Sequence, residues 1–314
     1  MKFSVLLNGC SESFERRAAE LRGFIRDHVG HEFVADKTIV LCPDFKKRDY
    51  FEANSVTPKL ALVSLGGYQP EKALAALKDV CRDEEIMLLP GDFFGAEISV
   101  RLGARLGGAG FTGVTQMRLE DGKPVCDKKV YAQKMTASFK IEQLPLCLSI
   151  AKGIAEEADR VNEPLRETVE IDKTSEAGGE HIVSCGLTPQ PDEAGLEQSD
   201  FLMVGGKGLG GPEGVERLKR LAEKAGADWG VSRPVAMSGW APMERMIGVS
   251  GIMAKPEMCL CFGASGAAAL YAGIARGRKI IAVNRDGKAP IIHQSDAAAI
   301  DDCLAVLDEL AKLA

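Results

Sequence analysis

The sequence predicts an α/β protein of two domains, each built around a mainly parallel sheet. The chain has 314 residues, which is long for a single domain. In both halves, strand-like apolar runs alternate with helical runs, and this alternation is typical of parallel sheets. Near the C-terminus, three strand-like runs lead into small or polar residues, namely 232–233, 263–266 and Asn284, and such sheets bind a phosphate-bearing ligand at strand ends of this kind.

Strands and helices alternate from the start of the chain. Residues 2–7 have the composition of a buried strand, and residues 11–29 that of a helix capped by Ser11 or Ser13. We then predict a strand at residues 60–64, a helix at 71–81 and a strand at 85–89. A loop at 90–96 follows and leads into a helix that ends at Leu106.

A β-hairpin and two further strands are predicted in the middle of the chain. Residues 113–119 and 125–131 flank Asp121 and Gly122, and Asp-Gly between two strand-like runs is a strong hairpin signal. The further strands are predicted at residues 136–141 and 168–171.

A polar segment with two prolines predicts the domain boundary. Residues 188–198 have little apolar content, which is typical of a linker. We therefore predict an N-terminal α/β domain over residues 1–187, a linker over 188–198 and a second domain over 199–314. The elements predicted in the second domain are strands at 200–204, 229–231, 258–262 and 279–283, with helices at 212–225 and 296–313.

Composition excludes several classes of function. The net charge of −6 and the 27% charged residues disfavour nucleic acid as a partner. No run of 18 apolar residues exists, so no membrane span is expected. The first seven residues are too short for the apolar core of a signal peptide, and we expect a cytoplasmic protein.

The nine cysteines favour a reducing compartment over a metal site or a disulfide framework. No C-x-x-C occurs, and no spacing is typical of zinc ligands. Cys259 and Cys261 are two residues apart on a predicted strand, so they share one face of it and are expected to pack in the core. No metal ligand and no catalytic residue is predicted.

The glycine run 206–211 predicts a Rossmann-like nucleotide site. It fits G-x-G-x-x-G between a strand and a helix, the arrangement that places a pyrophosphate at a helix N-terminus. An NAD site needs an acidic residue at the end of the next strand, but Asp228 precedes that strand and Ser232 and Arg233 follow it. A basic residue there suits a 2′-phosphate, so an NADP-dependent oxidoreductase is one interpretation. A nucleotide-sensing module for AMP or CoA is another.

Five pieces of the second domain carry a resemblance to a known family. They are Val-Gly-Gly-Lys-Gly-Leu at 204–209, Gly-Val-Ser-Arg at 230–233, Ile-Gly-Val-Ser-Gly at 247–251, Gly-Ala-Ser-Gly-Ala at 263–267 and Ala-Val-Asn-Arg-Asp at 282–286. The chain resembles the electron transfer flavoprotein alpha subunit, whose C-terminal domain binds FAD. Residues 200–314 match well. Residues 57–150 match loosely through 91–106 and 120–132, and the stretch before Thr57 departs from the family.

The resemblance implies an electron carrier rather than an enzyme with its own substrate. FAD is expected along the strand ends of the second domain. The implied partners are an electron transfer flavoprotein beta subunit in a heterodimer, an acyl-CoA dehydrogenase-like flavoenzyme that gives electrons, and a reductase that takes them.

The resemblance also implies which residues meet the cofactor. Arg233 is expected over the isoalloxazine ring, Ser250 at flavin N5, Lys207 at the phosphates, Asn284 at the ribose and Asp302 near the adenosine. The full set of predicted cofactor-binding residues is Lys207, Ser232, Arg233, Ile247, Gly248, Val249, Ser250, Ser265, Gly266, Ala267, Ala268, Ala269, Leu270, Asn284 and Asp302.

The chain departs from the family pattern at two places. Met246, Val249 and Ile252 stand where the family usually has glutamine, glutamine and lysine, so that loop is more apolar. Ala269 and Leu270 stand where the family has Gln-His, and that histidine meets the flavin C2 carbonyl. Leu270 cannot donate a hydrogen bond, so one donor is expected to be lost.

Overall fold

The chain divides into two compact units, Met1–Gly186 and Leu187–Ala314. The computed structural model describes residues 1–131, 133, 135–159, 164–176, 194–275 and 277–313. Each unit holds one mainly parallel sheet with alternating helices, which confirms the predicted fold class. The linker over 188–198 stays a prediction, because 188–193 lie outside the described residues and Ala194–Glu197 form a short 3₁₀ turn.

The N-terminal unit has strand order β7-β6-β5-β8-β4-β1-β2-β3-β9. All neighbours are parallel except in the β5–β6–β7 meander, which is antiparallel. Its elements are β1 (Lys2–Asn8), α1 (Phe14–His28), β2 (Val34–Cys42), α2 (Arg48–Ala53), β3 (Lys59–Ser64), α3 (Pro70–Val80), β4 (Ile86–Leu89), α4 (Phe93–Arg105), β5 (Ala109–Glu120), β6 (Lys123–Val130), β7 (Met135–Lys140), β8 (Leu146–Ile150) and β9 (Glu167–Asp172).

Local chemistry explains where these elements begin and turn. The Asp92 carboxylate accepts a hydrogen bond from the Gly95 N–H at 2.8 Å and so caps α4. Asp121 and Gly122 both have positive φ, at 52° and 76°, which is the backbone of the predicted two-residue hairpin turn. Helix α1 begins at Phe14, later than predicted, and Ser13 precedes it without a side-chain cap.

Sequence analysis did not predict β2, α2 and β8. The first four residues of β2 include Asp36 and Lys37 and are not buried, so only its second half has the apolar character of a central strand. In β8, Leu146–Ile150 is buried throughout between β4 and β5. Such short apolar runs carry no periodicity that identifies them as strands.

The C-terminal unit has strand order β12-β11-β10-β13-β14-β15, and every pair of neighbours is parallel. The chain starts in the middle at β10, builds one side, and then crosses to build the other, which is the doubly wound Rossmann order. Its elements are β10 (Phe201–Gly205), α5 (Pro212–Ala225), β11 (Asp228–Ser232), α6 (Arg233–Met237), β12 (Met246–Ile247), β13 (Met258–Phe262), α7 (Ala268–Ile274), β14 (Ile280–Val283), α8 (Pro290–Gln294), β15 (Ala297–Ala299) and α9 (Cys303–Leu313).

The predicted final helix over 296–313 is wrong in its first part. Ala297–Ala299 form β15, which pairs with β14, and α9 begins only at Cys303. Asp296 explains the difference, because its carboxylate accepts the Ile280 N–H at 2.7 Å and its own N–H donates to the Ile280 carbonyl at 2.8 Å. These bonds hold the segment against the sheet edge.

The core of the C-terminal unit lies on both faces of its sheet. Cys259 and Cys261 are buried on one face with their Sγ atoms 3.8 Å apart, which confirms the predicted core packing. The contact with Cys261 and burial raise the pKa of the Cys259 thiol, so it stays protonated at neutral pH. In the described part of the chain, no helix is long and apolar enough to span a bilayer.

Candidate functional site

A cavity of about 480 Å³ lies at the carboxyl ends of the C-terminal unit's strands. The strand order reverses between β10 and β13, and the loops after these strands form its floor, so the cavity occupies the topological switch point. Its lining residues are Lys207, Gly208, Ser232, Arg233, Pro234, Met246, Ile247, Gly248, Val249, Ser250, Gly251, Gly263, Ala264, Ser265, Ala267, Ala269, Leu270, Asn284, Asp286 and Ala289.

The floor is made by two glycine-bearing loops in backbone contact. The Gly206 N–H donates to the Phe262 carbonyl at 2.8 Å, and the Gly208 N–H donates to the Gly263 carbonyl at 2.9 Å. A Cβ on Gly206 would lie 2.3 Å from the Ala264 Cα and from the Gly263 carbonyl oxygen. Gly206 and Gly208 are therefore needed for the close approach of the two loops, since a Cβ on Gly208 would also lie 2.6 Å from the Gly263 Cα.

Lys207 projects from the first of these loops and is held by two neighbours. Its ammonium donates to the Ser238 hydroxyl at 2.6 Å and lies 3.8 Å from the centroid of the Trp240 ring. The Ser238 hydroxyl in turn donates to the Pro234 carbonyl at 2.8 Å. The cation predicted at the cofactor phosphates thus lines the cavity with its position already fixed.

Arg233 opens α6 directly after the buried Ser232 at the end of β11. Its side chain is exposed at the cavity, and within the described residues its guanidinium makes no hydrogen bond or ion pair. Lys207 and Arg233 bring two positive charges to one wall. This wall can therefore attract an anionic ligand or stabilise negative charge that develops on one.

The loop after β12 also lines the cavity and is fixed to α7. The Val249 N–H donates to the Ala269 carbonyl at 3.0 Å, and the Gly248 N–H to the Ile252 carbonyl at 2.9 Å. Gly248 has a φ of 135° and so adopts a backbone that other residues rarely reach. Ser250 stands exposed on this fixed loop, with its hydroxyl beside the cavity.

The loop after β13 and the end of β14 complete the site. Asn284 donates from its amide to the Ala264 carbonyl at 2.7 Å and accepts the Asp286 N–H at 2.9 Å. It therefore orders the loop that carries Ser265. Leu270 is buried in α7 and presents an apolar surface to the cavity.

Three of the predicted cofactor residues do not line the cavity. Gly266 is buried beneath the loop with a φ of 77°, and Ala268 is the first residue of α7. Asp302 forms an ion pair with Arg285 and caps α9 by accepting the Leu304 N–H at 2.7 Å. The remaining predicted residues line the cavity together: Lys207, Ser232, Arg233, Ile247, Gly248, Val249, Ser250, Ser265, Ala267, Ala269, Leu270 and Asn284.

Sequence reasoning missed the residues that support Lys207, and one acid at the cavity. Ser238 and Trp240 belong to no motif, so only the folded chain brings them to the lysine. Asp286 lies inside a stretch that matched the family, and that match is the one signal that could have identified it. Behind the glycine loop, the Cys303 thiol donates to the Gly208 carbonyl at 3.3 Å, and burial raises its pKa.

The fold is a doubly wound α/β fold, and its cavity lies at the switch point of the sheet. A family model described as the electron transfer flavoprotein FAD-binding domain matches residues 195–275. The protein YgcQ of Escherichia coli (strain K12), provisionally named as an electron transfer flavoprotein subunit, is 33% identical over 228 residues, which span 72% of this chain and 77% of YgcQ.

Two further relatives extend the similarity to other organisms. Electron transfer flavoprotein subunit alpha of Thermoanaerobacterium thermosaccharolyticum is 24% identical over 255 residues, which span 78% of this chain and 76% of the relative. Protein FixB of Rhizobium meliloti (strain 1021) is 25% identical over 255 residues, which span 79% and 72%. The chain belongs to the electron transfer flavoprotein alpha subunit family, and its class of function is electron transfer.

Proposed function

We propose that this chain holds FAD in the cavity of its C-terminal unit and carries electrons as the alpha subunit of an electron transfer flavoprotein. The observation that carries the proposal is the meeting of Lys207, Arg233 and the glycine floor in one cavity at the switch point. Such a site suits a ligand with both a diphosphate and a flat ring system. The family match over the same residues supports FAD as that ligand.

The cavity's own residues account for both parts of such a ligand. The Lys207 ammonium suits the diphosphate, because a fixed cation favours phosphate oxygens, and Gly208 and Gly263 place no side chain beside it. The apolar side chains of Ile247, Val249 and Leu270 suit a flat ring. The Arg233 guanidinium is a cation at the cavity, so it favours the reduced, anionic ring over the oxidised one.

Binding measurements with four ligands test the cofactor assignment. FAD, NADP⁺, AMP and CoA are titrated separately into cofactor-free protein by calorimetry. We expect FAD to bind at least about tenfold more tightly than any of the others, which corresponds to roughly 1.4 kcal/mol. Tighter binding of NADP⁺ would favour the dehydrogenase interpretation. Tighter binding of AMP or CoA would favour the nucleotide-sensing interpretation.

The partners follow from the family resemblance and are part of the proposal. We propose a heterodimer with an electron transfer flavoprotein beta subunit, electron delivery by an acyl-CoA dehydrogenase-like flavoenzyme, and a cytoplasmic location. Co-expression with a beta subunit encoded by the same organism, followed by size-exclusion chromatography, tests the pairing. A fully FAD-loaded monomer that does not bind the beta subunit at micromolar concentration would contradict the proposed heterodimer.

Leu270→His should raise the reduction potential of the bound flavin. An imidazole at this cavity-lining position restores the donor that the family uses against the C2 carbonyl, and a hydrogen bond to a charged group contributes about 1.5–3 kcal/mol. For a one-electron step, this corresponds to a rise of about 60–130 mV. A redox titration measures it. Leu270→Met keeps the volume without the donor and should leave the potential unchanged; equal potentials for both variants would contradict the prediction.

A further inference from the structure

The Lys207 ammonium is held by two side chains that belong to neither glycine loop. It donates to the Ser238 hydroxyl at 2.6 Å and lies 3.8 Å from the Trp240 ring centroid. The ring takes the ammonium on its face, where the aromatic quadrupole attracts a cation. An ammonium has three donors, so after the bond to Ser238 it keeps donors for an anion in the cavity.

The two supporting residues are themselves fixed. They follow α6 directly, and a compact turn closes that helix. The Ser238 N–H donates to the Val235 carbonyl at 3.2 Å, the Gly239 N–H to the Ala236 carbonyl at 2.9 Å, and the Trp240 N–H to the Val235 carbonyl at 3.3 Å. The Trp240 side chain packs against the core on the α5 face of the sheet. The ring is thus a rigid surface.

The arrangement joins the two cations of the cavity through α6. Hydrogen bonds run from Lys207 to Ser238 and from Ser238 to the Pro234 carbonyl, one residue after Arg233. The glycine loop that bears one cation is therefore tied to the helix that bears the other. A free lysine side chain has a large rotamer entropy, which it would lose when it met a ligand. Here most of that loss occurs during folding, before a ligand enters.

We infer that Ser238 and Trp240 are positioning residues that hold the Lys207 ammonium in place for the diphosphate of the ligand. The inference rests on the proposed function, because it assumes an anionic cofactor in this cavity. Ser238 and Trp240 then raise the affinity of the cavity for this ligand, and they do so only through the lysine. Their effect must therefore disappear when the lysine charge is removed.

A double-mutant cycle tests this dependence. ADP, which has the diphosphate without the flavin, is titrated into cofactor-free protein, and FAD is titrated in parallel. Trp240→Leu should weaken ADP binding by up to about 30-fold, the factor that corresponds to the full rotamer entropy of a lysine side chain, and Trp240→Phe by less. Ser238→Ala should also weaken it. In the Lys207→Gln background, Trp240→Leu should cause no further loss.

Trp229→Phe is the matched control. Trp229 is the other of the chain's two tryptophans, and its ring lies under Arg245 rather than Lys207. This variant should leave the affinity for ADP unchanged. It also makes Trp240 the sole emitter, so that Lys207→Gln in this background should change the tryptophan emission spectrum, whereas Lys255→Gln, at an exposed position that lines neither this cavity nor the one beside Trp240, should not. This measurement needs no ligand.

The outcomes separate the inference from the function it rests on. If the wild type binds neither FAD nor ADP, the proposed function fails and the inference fails with it. If the wild type binds both but Trp240→Leu has the same effect with and without the lysine, the tryptophan acts through packing and only the inference is overturned. An emission spectrum that Lys207→Gln leaves unchanged would overturn it as well.

Discussion

Gly206→Ala should force apart the two loops that form the floor of the cavity and abolish tight FAD binding. The added methyl would lie 2.3 Å from both the Ala264 Cα and the Gly263 carbonyl oxygen, which are backbone atoms that no side-chain rotation can move away. Inserting a methyl into packed structure costs about 1–3 kcal/mol, so the free energy of unfolding should fall by that amount. Urea denaturation measures the loss, and calorimetry measures FAD binding.

Gly211→Ala supplies the matched control. Gly211 belongs to the same glycine motif, but a Cβ there would meet no atom within 4 Å, and its φ of 165° is extended backbone open to any residue. This variant should lose at most about 1 kcal/mol of stability, the cost of alanine at the N-cap of α5, and should keep the FAD affinity of the wild type. Equal losses in the two variants would mean that the motif does not work through close approach of the two loops.

Arg233→Ala should weaken FAD binding and lower the potential of the bound flavin. The guanidinium lines the cavity and has no described protein partner to offset its charge, so its favourable interactions are made with the ligand. Loss of a hydrogen bond to a charged group costs about 1.5–3 kcal/mol, or roughly 10- to 150-fold in affinity. If Arg233 interacts mainly with the reduced flavin, its removal instead lowers the reduction potential of the flavin by about 60–130 mV per electron.

Two variants show whether this effect is specific. Arg233→Lys keeps the charge but not the planar fork, and should give an intermediate result. Arg220→Ala removes an exposed arginine on α5 that does not line the cavity, and should change neither quantity. Wild-type affinity and potential in Arg233→Ala would place the arginine away from the ring.

The parts of the fold that sequence could predict are those with local signals. The glycine run 206–211 sits between a strand and a helix as predicted, and α5 has the predicted bounds Pro212–Ala225 because Pro212 opens it and Gly226 ends it in a left-handed conformation. Met258–Phe262 also has its predicted bounds, since a buried apolar run ends there at glycine.

The remaining features depend on contacts between distant residues. Ala297–Ala299 has helical propensity, and it is a strand because it pairs with β14 beside the hydrogen bonds of Asp296 to Ile280. The pairing of Lys207 with Trp240 joins positions that share no motif. Asp302 was assigned to the adenosine by resemblance. The folded chain gives it a helix to cap and Arg285 as a partner, and no contact with the cavity.

The visible absorption spectrum of the chain, purified without added cofactor, tests the central claim most directly. We predict a yellow protein with the two-banded spectrum of oxidised flavin. The colour should leave with the small molecule on denaturation, and that molecule should be FAD at one per chain. A colourless protein that, when supplied with FAD, binds it no more tightly than NADP⁺ or AMP would contradict the assignment of the cavity to FAD.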